Sequence, residues 1–145
     1  MRNQIYRIVK EDKNKLLLDL KRKGYFVAEV DSETLKTDET FINALSEAFQ
    51  YTQFGEKITN LNWLDDVMRD LEWLKNDNGY VLFISNAQEI AYPYPEKAGE
   101  NFSRILFWMH YWEEEISRVT GYWNETLQIF ENGMLPRKFD VYLVD

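Results

Sequence analysis

Apolar residues recur along this chain with two periods, and the switches between them mark its elements. From Asn60 to Leu74, the residues Leu61, Leu64, Met68 and Leu71 fall at helical spacing, and Val67 and Leu74 widen the stripe. Asp65, Asp66, Asp70 and Glu72 lie off it, so the segment predicts one amphipathic helix with carboxylates crowded on its solvent side. Asp66 and Asp70, four apart, form a like-charge pair that costs roughly 0.2–0.5 kcal/mol, and Asp65 with Arg69 at the same spacing recovers a similar amount. Such crowding is either an ordinary solvated face or an acidic face kept for a basic partner. Thr59 or Asn60 serves as the helix cap, and Asn76-Asp77-Asn78-Gly79 turns the chain after it.

Upstream, Thr37 predicts an N-cap with Asp38 and Glu39 in a favourable first turn, and Phe41, Leu45, Ala48 and Phe49 carry a helix to about Gln50. A loop from Tyr51 to Lys57 joins the two helices. Tyr25 to Val30 reads as a strand, bounded by Gly24 and Asp31-Ser32. Tyr80 to Ile84 is a continuous apolar run, as in a strand covered on both faces, and Phe139 to Val144 closes the chain as another strand. Ile5 to Val9 suits a short strand. Leu16 to Leu20 suits a short helix, closed by Lys21-Arg22-Lys23 and Gly24, where a basic triplet complements the helix C-terminus.

Residues 86 to 99, with Pro93 and Pro95, read as a loop. Asn101 to Val119 predicts an aromatic helix whose stripe is Phe102, Ile105, Leu106, Met109, Trp112, Ile116 and Val119. Phe107, Trp108 and Tyr111 fall outside that stripe, so the helix is apolar nearly all round. Burial on several sides accounts for this; aromatic surface offered to a partner is the alternative. Thr126 to Phe130 fits either a strand or a helix end. Strands alternating with helices indicate a small α/β layer structure, at least partly parallel.

With 145 residues, 45% of them hydrophobic, the chain suffices for one domain with a real core. A net charge of −8 argues against nucleic acid as a direct partner and suits a basic protein. Cysteine is absent, which excludes disulfides and thiolate chemistry. Met1-Arg2-Asn3-Gln4 carries no apolar signal region, and no run approaches a membrane span. The expected compartment is cytoplasmic.

The residues for catalysis are sparse. His110 is the only histidine, set among aromatic residues, and reads as a partly buried packing residue. No Gly-x-Ser-x-Gly elbow and no phosphate-cradling glycine loop occurs. Asp31-x-Glu33 and Asp65-Asp66 lack the surroundings of a calcium loop, and Glu113-Glu114-Glu115 are neighbours on one helix rather than a pair facing across a cleft. A non-enzyme without cofactor or metal is expected.

The run Asn60-Leu61-Asn62 to Asp66, then Met68-Arg69-Asp70-Leu71 and Trp73-Leu74, resembles the second helix of the barstar-like family. Phe26-Val27-Ala28-Glu29-Val30-Asp31, Gly79 to Ile84 and Phe139 to Asp145 are similar to its strands, and Ile5-Tyr6-Arg7-Ile8 to a lead-in of longer members. The resemblance implies a three-stranded parallel sheet packed with helices: one domain with its core at 24–145 and an extension at 1–23. It also implies a cytoplasmic inhibitor of a basic ribonuclease of the extracellular, barnase type or of another nuclease toxin. A monomer is expected, with a dimer through the apolar face of the aromatic helix as the alternative.

On that resemblance Asp66 matches the principal inhibitory Asp, and Asn60 the Asn near the helix start. Asn62 places an amide where a second acidic residue stands, and Trp63 replaces a small residue. Phe54-Gly55 resembles an aromatic-Gly pair about three residues too far upstream. Arg69 sets a cation beside Asp66, which weakens attraction to a basic nuclease. The partner-binding set expected is Phe54, Gly55, Asn60, Asn62, Asp65, Asp66, Arg69 and Asp70. The alternative is a non-catalytic interaction module on the same fold with an unrelated partner.

Overall fold

The computed structural model describes residues 2–91 and 98–145, so Pro93 and Pro95 of the expected loop lie outside the described residues. In chain order the elements are β1 (Ile5–Ile8), α1 (Lys13–Arg22), β2 (Phe26–Asp31), α2 (Asp38–Ala48), α3 (Leu61–Met68), β3 (Gly79–Ser85), α4 (Glu100–His110), a π-helical turn (Tyr111–Glu115), α5 (Ile116–Val119), β4 (Tyr122–Asn124), β5 (Ile129–Glu131) and β6 (Lys138–Val144). β1, β6, β3 and β2, in that order, form one parallel sheet, with Ile5 opposite Val141, Leu82 opposite Val141 and Ala28 opposite Leu82. The three expected core strands are β2, β3 and β6, and the N-terminal extension adds a fourth at the β6 edge.

Alternation along the strands divides the core in two. Ala28, Val30, Tyr80, Leu82, Ile84, Phe139, Val141 and Leu143 face α2, α3 and α4. Val81, Phe83 and Val144 face the other way, onto Leu17 and Leu20 of α1. The run at Tyr80 to Ile84 is therefore covered on both sides, which is why it carries no polar alternation. Fully buried Phe41, Leu45, Phe49, Leu64, Met68, Trp108 and Trp112 bind the helical layer to the sheet, each burial worth about 1.5–3 kcal/mol. Gly79 opens β3 at φ +135, and a Cβ there would lie 2.4 Å from the Lys138 carbonyl oxygen, so only glycine allows β3 and β6 to pair at this point.

Two helices differ from the sequence reading. The helix expected over residues 60–74 ends at Met68, because Asp70 N and Leu71 N both donate to Val67 O, and the Trp112 indole occupies the Met68 carbonyl at 2.9 Å. Leu71 then turns left-handed (φ 54) to bury its side chain, and Glu72–Leu74 forms a 3-10 turn. The helix expected over 101–119 is interrupted by the π-helical turn, whose extra residue brings Tyr111 inward beside Trp112 and leaves Val119 exposed. Residues 122–131 form a hairpin, Trp123 opposite Phe130, so the strand alternative holds only for the second half of 126–130.

Candidate protein-binding face

α3 begins at Asn60, whose Oδ1 accepts the Trp63 N–H at 2.8 Å and caps the first turn. Leu64, Val67 and Met68 face the core, while Asn62 and Asp66 face outward. Asp65 and Asp66 are adjacent in sequence but about 100° apart around the helix, and that separation divides their roles. Asp65 turns toward α4: its Oδ2 accepts from Arg104 Nη1 at 2.5 Å and its Oδ1 from the Trp108 indole at 2.9 Å. Its side chain is 17% exposed, against 75% for Asp66.

Arg69 does not pair with the Asp65 carboxylate, as the i, i+4 spacing suggested. Its Nη2 donates to Asp66 Oδ1 at 2.8 Å, and its Nε to the Asp65 backbone carbonyl at 3.2 Å. Asp65 is already held by Arg104 and Trp108, and the guanidinium pairs with Asp66 instead. It lies 5.8 Å from the ring centres of both Phe107 and Tyr111, which fix it against α4. Burial raises the Tyr111 phenol above its ordinary pKa, and the nearby Arg69 opposes that shift. Asp70 lies beyond the end of α3, its N–H donating to Val67 O at 3.1 Å, so it and Asp66 are not an i, i+4 pair within one helix.

The preceding loop meets α3 through aromatic rings. Tyr51 touches Phe54, Trp63 and Trp73 edge-on, at centroid distances of 5.4, 6.4 and 5.4 Å. Phe54 stands perpendicular to Trp73 at 5.7 Å and leaves about half its surface outside. Gly55 follows in the left-handed region, φ 72, and ends the turn. Phe54, Gly55, Asn60, Asn62, Asp66 and Asp70 are all exposed; Asp65 and Arg69 are half-buried. Sequence reasoning missed Arg104 and Trp108, whose contact with Asp65 no local spacing announces.

Chemically the face offers acceptors: the outward carboxylate of Asp66, with Arg69 on one oxygen, a second carboxylate at Asp70, and aromatic surface upstream. Among the described residues no three ligating side chains gather as a metal site. The face borders a groove of about 270 Å³ whose lining includes Arg69, Asp70, Glu72, Lys75, Met134 and Arg137. His110 is exposed, contrary to the packing role expected, because the turn that draws Tyr111 and Trp112 inward leaves it on the outer side, 3.7 Å from Glu115. Glu115 itself is held by Arg118, whose hydrogen bond keeps its carboxyl below the ordinary glutamate value. On the aromatic helix, Trp108, Met109, Tyr111 and Trp112 are buried and Phe107 is exposed, so burial accounts for most of its apolar excess.

No helix among the described residues is long and apolar enough to cross a membrane. The model of the family described as Barstar (barnase inhibitor) matches residues 25–130, from the start of β2 to the middle of β5. No curated protein and no solved structure matches the chain.

Proposed function

The chain belongs to the barstar family, and from that premise we propose that it is an inhibitor of a barnase-type ribonuclease, of the immunity or antitoxin kind. The observation that carries this reading is Asp66, a carboxylate three-quarters exposed on a helix fixed at both ends. A ribonuclease holds its phosphate in a cationic cleft. A carboxylate set in that cleft takes over the charge-assisted hydrogen bonds made to the phosphate. The helix holds its backbone in place before the partner arrives, so little ordering entropy is lost on binding. Asn60, Asn62 and Asp70 are proposed to flank Asp66, with Phe54 and Gly55 at the loop edge. Asp65 and Arg69 are proposed to hold the face in shape rather than to lead the contact. A basic partner and a cytoplasmic site of action, ahead of nuclease export, belong to the same proposal.

The second reading, an interaction module with an unrelated partner, is favoured by the ion pair that already engages Asp66 and by the amide at Asn62. One experiment separates the two. The parent chain should block RNA cleavage by a barnase-type ribonuclease, and Asp66→Ala should lose at least about 30-fold in affinity, the cost of leaving a partner's cation unpaired. Its circular dichroism and unfolding midpoint should match the parent. Equal inhibition by the variant sinks the assigned face; no inhibition by either protein sinks the ribonuclease reading.

A further inference from the structure

The hairpin β4–β5 and the turn after it gather most of the large apolar side chains exposed among the described residues, including Tyr122, Trp123, Leu127, Ile129, Phe130 and Leu135, the last 80% exposed. Trp123 and Phe130 share one face of the hairpin and Tyr122 and Ile129 the other; ordinary surfaces scatter such residues singly, and this concentration in one element marks a contact surface. Its position is fixed. Thr120 Oγ1 accepts the Met134 N–H at 2.8 Å, Ser117 O accepts the Gly133 N–H at 2.9 Å, and Ser117 Oγ donates to Met134 O at 2.8 Å. The turn after the hairpin is thus clamped to α5, which anchors the base of the hairpin.

Two further observations name the occupant. Between Val119 and Leu135 the charged side chains are Glu125 and Glu131, with no lysine or arginine, and Glu113, Glu114 and Glu115 precede them. The two cations that flank the segment are engaged within the chain: Arg118 by Glu115, and Arg137 by Asn76 O and the Tyr80 hydroxyl at 3.1 and 3.2 Å. The hairpin segment is therefore apolar with carboxylates as its only charges, and a chain of net charge −8 disfavours pairing it with its own copy. In addition, one groove is lined both by Arg69 and Asp70 at the end of α3 and by Thr120 and Met134 beside the hairpin, so the two regions border the same depression.

We propose that the β4–β5 hairpin is a second docking element for the same basic protein that α3 engages, an apolar contact beside the acidic one. This rests on the inhibitor reading above. The α3 carboxylates then set recognition and encounter rate, whereas the hairpin lengthens residence by burying apolar surface against an apolar rim of the partner.

The test uses the whole chain, a double variant Tyr122→Ser/Leu135→Ser, and Asp66→Ala, each bound to an inactivated barnase-type ribonuclease in a surface or calorimetric assay. Both serine substitutions are at exposed positions, so the fold should hold; unfolding midpoints equal to the parent verify this. The expected result is about a tenfold loss of affinity in the double variant, carried by faster dissociation, with association unchanged. If the double variant binds like the parent while Asp66→Ala does not, the hairpin proposal fails and the inhibitor reading stands. If the parent itself does not bind the ribonuclease, the inhibitor reading fails and the hairpin proposal with it. If light scattering shows a dimer of the parent that the double variant loses, the patch belongs to a second copy and the proposal is overturned.

Discussion

Asp65 Oδ1 accepts the indole N–H of Trp108 at 2.9 Å, a side-chain bond between residues 43 positions apart. With Arg104 on the other oxygen at 2.5 Å, one carboxylate joins α3 to two successive turns of α4. Trp112, one turn further on, donates to the Met68 carbonyl at 2.9 Å and closes the C-terminal end of α3. The inward half of the Asp65-Asp66 pair thus aims the outward half. A solvated helix face would need neither tether, since its orientation would not matter.

Removing the inward carboxylate should therefore act on stability first. Asp65→Ala leaves the Trp108 indole and the Arg104 guanidinium without their acceptor in a half-buried site, at a cost of about 1–3 kcal/mol. Asp65→Asn keeps an acceptor for Trp108 and should cost less. Urea denaturation of the three proteins checks the order parent, Asn, Ala. A midpoint for Asp65→Ala equal to the parent would mean that α3 is held by its apolar stripe alone.

Arg69 competes with any partner for Asp66. Arg69→Gln frees Asp66 Oδ1 and removes a cation from the face, so association with a basic ribonuclease should speed up several-fold at low salt, and less at high salt. The loss of its contacts with Phe107 and Tyr111 should cost about 0.5–1 kcal/mol of stability. Stopped-flow association at two ionic strengths measures the first effect. A slower association in the variant would show that Arg69 touches the partner instead of shielding Asp66.

The N-terminal extension should prove part of the folding unit. Deleting residues 2–23 removes Leu17 and Leu20 from above Val81, Phe83 and Val144, and strips β6 of its edge partner. It also removes Arg7, which donates to Ile90 O and Ala87 O at 2.7 Å each and to Asp145 at 2.9 Å. Exposing three core side chains costs several times about 1.5–3 kcal/mol, comparable with a whole domain's stability of about 5–15 kcal/mol. The truncated chain should therefore bind a hydrophobic dye and lose its cooperative thermal transition. A parental transition in the truncated chain would make the extension an appendage.

What the sequence makes legible here follows from locality. The caps at Thr37 and Asn60 each bond to an N–H three residues on; Thr37 stands where the pattern placed it, and Asn60 is one of the two positions the pattern allowed. Strand β3 shows as an unbroken apolar run because burial on both faces leaves no room for polar residues, whereas β2 and β6 show by their aromatic and β-branched residues, with polar Glu29 and Asp140 interspersed. The early end of α3 was not legible. It depends on Trp112, 44 positions away, taking the Met68 carbonyl, and the local stripe through Leu71 and Leu74 is equally good for a longer helix. The π-helical turn is hidden for the same reason, since Tyr111 and Trp112 could each fill the inward position and only packing admits both. In the candidate face, Asp66 was legible as an outward acid. The division of labour between Asp65 and Asp66 was not, because spacing placed Arg69 opposite the Asp65 side chain whereas the fold gives Asp65 to Arg104.

The pairing of Lys138 with Asp140 gives the fold an alkaline limit. Asp140 is 1% exposed; its Oδ1 accepts the Gln4 N–H at 2.8 Å and its Oδ2 lies 3.0 Å from Lys138 Nζ. That hydrogen bond holds the Lys138 ammonium above the ordinary lysine pKa, against the opposing effect of burial. The folded chain thus binds this proton more tightly than the unfolded chain. Its contribution is complete below about pH 10.4 and is lost as pH rises through the higher folded value. Burial raises the Tyr80 and Tyr142 phenols as well, so they act in the same direction and the parent alone does not isolate the lysine. Lys138→Met does. At pH 7 it leaves a buried carboxylate with one donor fewer and should cost about 1–3 kcal/mol. Between pH 10 and 12 its stability should fall less steeply than the parent's, since one of the titrating groups is gone. Urea midpoints for both proteins across that range decide it: parallel curves would mean that Asp140 is held by Gln4 and that Lys138 only rests beside it.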